Sequence, residues 1–244
     1  MSELTLYYFP ISTSSQKVRL CQHHKGITLG ERIIDLTRLE HLTPEYLAIN
    51  PAAQVPALVV DGQPLCESSI INEFLEERFL ERPLLPRDPV QRARIRAFTK
   101  YVDRSPTVEL QTPTYRAWVS PALSQVPKEP LLNQLEQVPD ASYRDRWVRA
   151  AHNQISDADV ETAYQAIEKF LTRAEALLDG NSYLFGSEYT LADVEATPIV
   201  VRLQHLGRMD LIAKYPRLGE WFARIQSLPN FALTYDFVDR LPRA

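Results

Sequence analysis

Residues 80–89 read Leu-Glu-Arg-Pro-Leu-Leu-Pro-Arg-Asp-Pro, and the prolines at 83, 86 and 89 stop any helix or central strand from running through them. Proline fixes φ, lacks an N–H and clashes with the preceding helical turn. The patterning differs on the two sides. Before this stretch, short apolar runs alternate with segments of helical spacing; after it, only helical spacing recurs. That predicts two units, 1–80 and 90–244, joined by a linker over 81–89. A chain of 244 residues, 45% of them apolar, can bury a full core and is long for one unit but comfortable for two. With only seven glycines against eighteen prolines, helices punctuated by proline are expected to dominate over glycine-rich turns.

The first unit reads as strand, helix, strand, helix, strand, strand, helix. Leu4 to Phe9 is a short apolar, aromatic run that stops at Pro10, as a buried strand does. Ser12-Thr13-Ser14-Ser15 then opens a helix through Val18, Leu20 and Cys21 that Gly26 closes. Glu31 to Leu36 is a second strand, returning through a right-handed βαβ unit. A short helix over Leu42 to Ile49 ends at Asn50-Pro51, and Asp61-Gly62 predicts a hairpin pairing Ala57 to Val60 with Gln63 to Cys66. Ser68 to Phe79 places Ile70, Ile71, Phe74 and Leu75 at helical spacing. In the second unit the spacing predicts helices over Val90 to Leu110, Tyr143 to His152, Asp157 to Leu178, Thr190 to Leu206 and Tyr215 to Leu228. Five prolines between Thr112 and Asp140 predict a partly irregular stretch there.

Several function classes fall away. The 27 basic and 31 acidic residues are mixed along the chain, giving a net charge of −4 and no basic block for nucleic acid. No charged leader precedes Leu4 and no apolar run could cross a bilayer, so a soluble, cytoplasmic protein without membrane contact is expected. Cys21 and Cys66 form no CxxC and are expected as free thiols, and the five histidines show no metal spacing, so no metal is expected.

Three short constellations could carry chemistry. Ser12 to Ser15 sits where a helix N-terminus offers unpaired N–H groups and about half a positive charge, so its hydroxyls either cap the helix or face a bound anion. Pro56, at the mouth of a strand, would expose the Val55 backbone to an extended peptide ligand if its peptide bond were cis. Glu67-Ser68 either caps the next helix or offers a carboxylate to an amine and a hydroxyl to a carboxylate. Farther on, Thr190 with Asp193 three residues later is a capping box, with Tyr189 and Val194 as its apolar staple.

Taken in order, LYYFPISTSSQKVRL, EHLTPEYLAINPAAQVPALVVDG and ESSIINEFLEE resemble the glutathione-binding domain of the cytosolic glutathione S-transferases. The resemblance implies an α/β thioredoxin-like N-terminal domain (βαβ-α-ββα) followed by an all-α helical-bundle C-terminal domain carrying the electrophile pocket. It implies glutathione as co-substrate and Ser12 as the hydroxyl that activates its thiol, as in the serine-type classes. Ser15 is the alternative, because beta-etherase relatives with a similar start use a hydroxyl slightly farther along. His41 and Gln54 match positions reaching the glycine carboxylate, Val55 the cysteinyl backbone, Glu67 and Ser68 the γ-glutamyl group, and Pro56 the family's cis proline. Gln54 stands where many members carry lysine. Tyr101, Tyr115 and Trp118 are either core residues or aromatic walls for a small hydrophobic electrophile. The stretch from Tyr101 to His152, with Tyr143-Arg144-Asp145-Arg146-Trp147, looks like the bacterial beta-etherase branch, which cleaves aryl ethers with glutathione. A homodimer is implied, as is an enzyme; the competing class is a non-catalytic binding module of the same fold.

Overall fold

A computed structural model describes residues 3–124 and 126–237. The extremities of the two expected units, residues 1–2 and 238–244, lie outside the described residues. The chain begins with β1 (Leu4–Tyr8), α1 (Thr13–Lys25), β2 (Gly30–Ile33), α2 (Pro44–Leu47), β3 (Ala57–Val60), β4 (Gln63–Cys66) and α3 (Ser68–Arg78). The four strands form one mixed sheet in the order β2-β1-β3-β4, with β1 parallel to β2 and antiparallel to β3, and β3 antiparallel to β4. The βαβ-α-ββα order is the expected one. Asp61 (φ 48°) and Gly62 (φ 83°) both take positive φ, the geometry of the tight hairpin their dipeptide predicted. The second strand is shorter than expected and ends at Ile33, because the Asp35 carboxylate accepts the Thr37 N–H at 2.8 Å and starts a 3₁₀ turn over Leu36–Arg38. A second such turn, Glu40–Leu42, leads into α2.

After the proline stretch the elements among the described residues are all helical: α4 (Pro89–Arg104), α5 (Pro106–Glu109), α6 (Gln111–Thr114), a π-helical turn (Tyr115–Val119), α7 (Ser120–Leu123), α8 (Lys128–Leu135), α9 (Ala141–Ala151), α10 (Asp157–Leu177), α11 (Leu191–His205), α12 (Met209–Ile212), α13 (Pro216–Gln226) and α14 (Pro229–Thr234). The helix expected over Val90 to Leu110 is broken at Ser105, where Pro106 cannot continue the ladder and opens a new helix instead. The stretch from 112 to 140 is more helical than its prolines suggested. Pro130 falls in the first turn of α8, where the missing N–H costs nothing, while Pro113 and Pro121 flank the π-helical turn within a backbone that stays helical from Pro106 to Leu123.

One apolar core runs through both halves of the chain, joining Leu6, Val18, Leu20, Ile71 and Leu75 to Phe98, Phe170, Ile199 and Trp221. A second, smaller core of Leu123, Leu131, Leu135 and Trp147 closes over Leu42 and Ala53. The segment after α3 is held from both sides. Glu76 accepts the Leu84 and Leu85 N–H groups at 3.0 Å each and pairs with Lys25 at 2.6 Å, while Leu84 C=O accepts the Leu191 N–H at 2.9 Å. Its leucines, Leu84 and Leu85, are buried.

The expected capping box at the start of α11 is present. Thr190 Oγ1 accepts the Ala192 N–H at 3.2 Å, and Asp193 Oδ2 accepts the Thr190 N–H at 2.9 Å. The other Asp193 oxygen accepts the Leu184 N–H at 3.0 Å and the Trp221 Nε1–H at 2.8 Å, so one buried carboxylate ties together a loop and two helices.

Between α1 and the later helices lies a buried ionic cluster. Lys17 has no exposed side-chain surface, and its ammonium meets Asp103 of α4 at 2.7 Å, Glu195 of α11 at 2.8 Å and Thr107 of α5 at 3.2 Å. Asn72 of α3 donates to the other Glu195 oxygen at 3.3 Å. Among the described residues, no helix is long and apolar enough to cross a membrane.

Candidate active site

The register that pairs Tyr7 with Ala57 and Ala57 with Cys66 brings three chain segments out at the same end of the sheet. The one leaving β1 carries Ser12, the one entering β3 carries Gln54, Val55 and Pro56, and the one leaving β4 carries Glu67 and Ser68. Residues spread over more than fifty positions thus become neighbours through strand pairing alone.

At the front of α1, Ser12 Oγ accepts the Ser15 N–H at 3.3 Å, so its hydroxyl proton stays free to donate. Among the described residues, the N–H groups of Thr13 and Ser14 have no hydrogen-bond partner, leaving the positive end of a 13-residue helix open. Gln16 Nε2 donates to Pro10 C=O at 2.9 Å and Ile11 C=O at 3.3 Å, fixing the turn that presents these groups.

The Val55–Pro56 peptide bond is cis, and Val55 N–H and C=O have no protein partner among the described residues. The preceding carbonyl, of Gln54, accepts from Tyr46 Oη and Asn50 Nδ2 at 2.6 Å each. From the far side, Tyr143 Oη donates to Ala53 C=O at 3.0 Å, so α9 braces the same loop. Glu67 holds φ at 70°, a conformation that costs a non-glycine residue about 1–3 kcal/mol, and it makes no side-chain cap to α3.

These groups border an open cleft whose empty volume, counted out to its mouth, is about 1210 Å³. Phe9, Ser12, Thr13, Ser14, Gln54 and Val55 form one wall, and Gln111, Thr114, Tyr115, Trp118, Trp147 and Arg202 face them. Tyr115 meets Trp147 edge-on at 5.5 Å. Burial raises the Tyr115 hydroxyl above its usual range, which keeps it neutral. Among the described residues lining the cleft, Arg202 alone is charged.

Of the residues singled out in the sequence, Ser12, Gln54, Val55, Tyr115 and Trp118 line this cleft. Pro56, Glu67 and Ser68 stand behind them at the same sheet end. Three others do not reach it. Ser15 is completely buried, with its Oγ accepting the Phe9 N–H at 3.3 Å, because a residue three positions past the cap turns into the sheet. His41 is likewise buried, its ring 4.9 Å from that of Trp147, and burial lowers it to about 4 so that it is neutral. Tyr101 packs on Phe98 and under the Arg173 guanidinium, 4.3 Å from its ring, on another side of α4.

The structure adds Ser14, Phe9, Trp147 and Arg202 to the cleft. Tyr143 and Trp147 are four apart on one helix, a spacing that marks a shared face; Arg202 is a lone charge in the apolar run Ile199-Val200-Val201-Arg202-Leu203. Both signals were present in the sequence. Cys21 is buried and Cys66 half-buried, both free, and burial pushes both thiols up and away from reactivity. Among the described residues no group of His, Cys, Asp and Glu could hold a metal ion.

The model of the glutathione S-transferase N-terminal domain matches residues 11–78, and that of the C-terminal domain matches residues 144–224. Over 219 residues the chain is 30% identical to Glutathione S-transferase 1 of Dianthus caryophyllus, covering 88% of this chain and 84% of that protein. It is 29% identical over 233 residues to Protein LigF of Sphingobium sp., covering 93% and 90%. The crystal structure of beta-etherase LigF from Sphingobium sp. strain SYK-6 matches with a TM-score of 0.88 at 28% identity, over 96% of this chain and 98% of that one.

Proposed function

The chain belongs to the glutathione S-transferase family, and on that premise we propose that it activates the glutathione thiol for attack on an aromatic or hydrophobic electrophile, aryl ethers included. The observation that carries this reading is the pairing, on one wall of one cleft, of an unpartnered Val55 peptide with the open front of α1. An extended tripeptide hydrogen-bonded along Val55 would aim its sulfur at Ser12 and at the Thr13 and Ser14 N–H groups. The strained Glu67 with Ser68 supports recognition of the γ-glutamyl end, and Gln54, uncharged, offers a hydrogen bond to the glycine end.

A free cysteinyl thiol has a pKa of about 8.5, so little of it is thiolate at neutral pH. Lowering it by about two units takes roughly 2.7 kcal/mol, which one hydroxyl donor plus the helix dipole can supply. The sulfur then forms a C–S bond as the leaving group departs with the bonding electron pair. With an ether, the C–O bond breaks and its oxygen takes up a proton, giving a thioether and a phenol or alcohol. The Tyr115, Trp118 and Trp147 rings supply the apolar surface on which the electrophile lies.

Calorimetry with glutathione tests the first half, and the absence of binding at millimolar concentration overturns it. Ser12→Ala is expected to lower conjugation kcat/KM at least about tenfold and to move the acid limb of its pH profile to higher pH, with glutathione affinity little changed. Unchanged turnover in Ser12→Ala, with a loss in Ser14→Ala, would transfer the role to Ser14. The reading extends to a homodimer: Ile70 on α3 and Val90 on the adjoining α4 are 56% and 65% exposed, apolar surface that a second subunit would cover, and sedimentation equilibrium decides it.

A further inference from the structure

Arg202 places a positive charge at the floor of an otherwise uncharged cleft. It rises from α11 between Val201 and Leu203, is itself 4% exposed, and lines the cavity. Its partners are neutral. Nη1 donates to Thr114 Oγ1 at 3.0 Å, Nη2 donates to Ile11 C=O, and Cζ stands 4.5 Å from the centre of the Trp118 indole. Among the described residues no carboxylate comes within ion-pair distance of it, whereas the buried Lys17 and Lys25 each hold one at 2.7 Å or less. Burial lowers the guanidinium only to about 10, so it is charged at neutral pH.

A buried charge without a counter-ion is costly, and the usual resolution is a partner that arrives with the ligand. Three further polar atoms lack partners: Arg202 Nε, Nε1 of the adjacent Trp118 and, elsewhere in the lining, Gln111 Oε1 are buried and hydrogen-bond to nothing in the described protein. Two of these are N–H donors, and all three belong to residues lining the cleft.

We infer that Arg202, with Trp118 Nε1, is the anchor for an oxyanion carried by the aromatic second substrate, a carboxylate or a phenolate, and so selects anionic aromatic electrophiles over neutral ones. This rests on the transferase reading for the identity of the first ligand. In that reading the carboxylates of glutathione lie at the two ends of the peptide, by Gln54 and by Glu67-Ser68. Arg202 instead meets the chain at Ile11, next to Ser12 and hence at the sulfur. The anion that reaches it therefore belongs to the electrophile. The Trp118 and Tyr115 rings take the aromatic body, and the guanidinium fork takes the two oxygens.

The test measures calorimetric affinity for 3,5-dinitrobenzoate and for its methyl ester, with no glutathione present, in the wild type, Arg202→Gln and Arg202→Lys. The wild type is expected to bind the acid at least about tenfold more tightly than the ester, and Arg202→Gln to abolish that preference. Arg202→Lys keeps the charge but loses the fork, and is expected to retain a reduced preference; it decides the matter should Arg202→Gln not fold. Equal wild-type affinity for acid and ester, or a preference that both variants keep in full, overturns the inference. Turnover of 4-chloro-3,5-dinitrobenzoate with glutathione is scored separately. A protein that prefers the acid through Arg202 yet conjugates nothing upholds the anchor and overturns the transferase reading.

Discussion

Replacing Lys17 by methionine removes the one cation of the cluster that joins α1 to α4, α5 and α11 while nearly conserving side-chain volume. Glu195 then keeps only the Asn72 amide at 3.3 Å, in a position where 1% of its side chain is exposed. Asp103, with 31% of its side chain exposed, keeps water as a partner, so the main penalty falls on Glu195. Removing one member of a buried ion pair typically costs about 3–5 kcal/mol, because the group left behind stays buried and must either carry an unpaired charge or take up a proton. For a chain of this size each kcal/mol moves Tm by roughly 2–4 °C, so a fall of about 6–20 °C is expected. Urea unfolding followed by tryptophan fluorescence, alongside thermal melts, measures the loss. The paired variant Lys17→Met with Glu195→Gln removes the orphaned charge and is expected to recover more than half of it, a coupling visible in a double-mutant cycle. A loss under about 1 kcal/mol for Lys17→Met, or strict additivity in the cycle, would refute the assignment of this cluster as a single interacting unit.

The same cluster predicts a pH dependence. One ammonium serves two carboxylates, and burial raises Glu195 from 4.5 to about 7 despite the attraction of Lys17. A raised folded-state value means a stabilising contribution that is complete below about 4.5 and is lost as pH rises through about 7, so Tm is expected to fall between about pH 4.5 and 7 and Glu195→Gln to flatten that slope; a wild-type slope that survives Glu195→Gln places the titrating group elsewhere. Thr190→Ala removes the hydroxyl that accepts the Ala192 N–H at 3.2 Å and donates to Asp193 at 3.1 Å, and is expected to cost about 1–2 kcal/mol. Its kcat with any accepted electrophile should stay within about twofold of wild type, since Thr190 lies outside the cleft lining; an unchanged urea midpoint would contradict the capping role.

The order of elements in the first eighty residues was legible because each rests on chemistry local to it: Asp61-Gly62 makes a hairpin, and Gly26 ends a helix with φ at 67°. The hydroxyl cluster at the start of α1 was legible for the same reason, as was the helical character of the described residues past Pro89, whereas the cis bond at Pro56 was implied by the family resemblance and left open by the local sequence. Proline was misread where position within a helix mattered. Pro113, Pro121 and Pro130 looked like breakers by count, yet the backbone stays helical through the first two, on either side of the π-helical turn, and the third sits harmlessly in a first turn.

Direction was the part that only packing could decide. Ser12 and Ser15 are the same residue type three positions apart, and local pattern cannot say that one hydroxyl borders a cleft while the other turns under Phe9. Tyr101 and Tyr115 are both aromatic residues on helices, but one packs on Phe98 and the other faces the cavity. Arg202 reaches Ile11 across 191 positions, a contact that exists only once α11 has been laid against α1. Elements form from interactions among near neighbours, which the sequence displays directly; which face of each element is buried depends on partners distant in the chain, and so the shape and charge of the cleft belong to the tertiary structure.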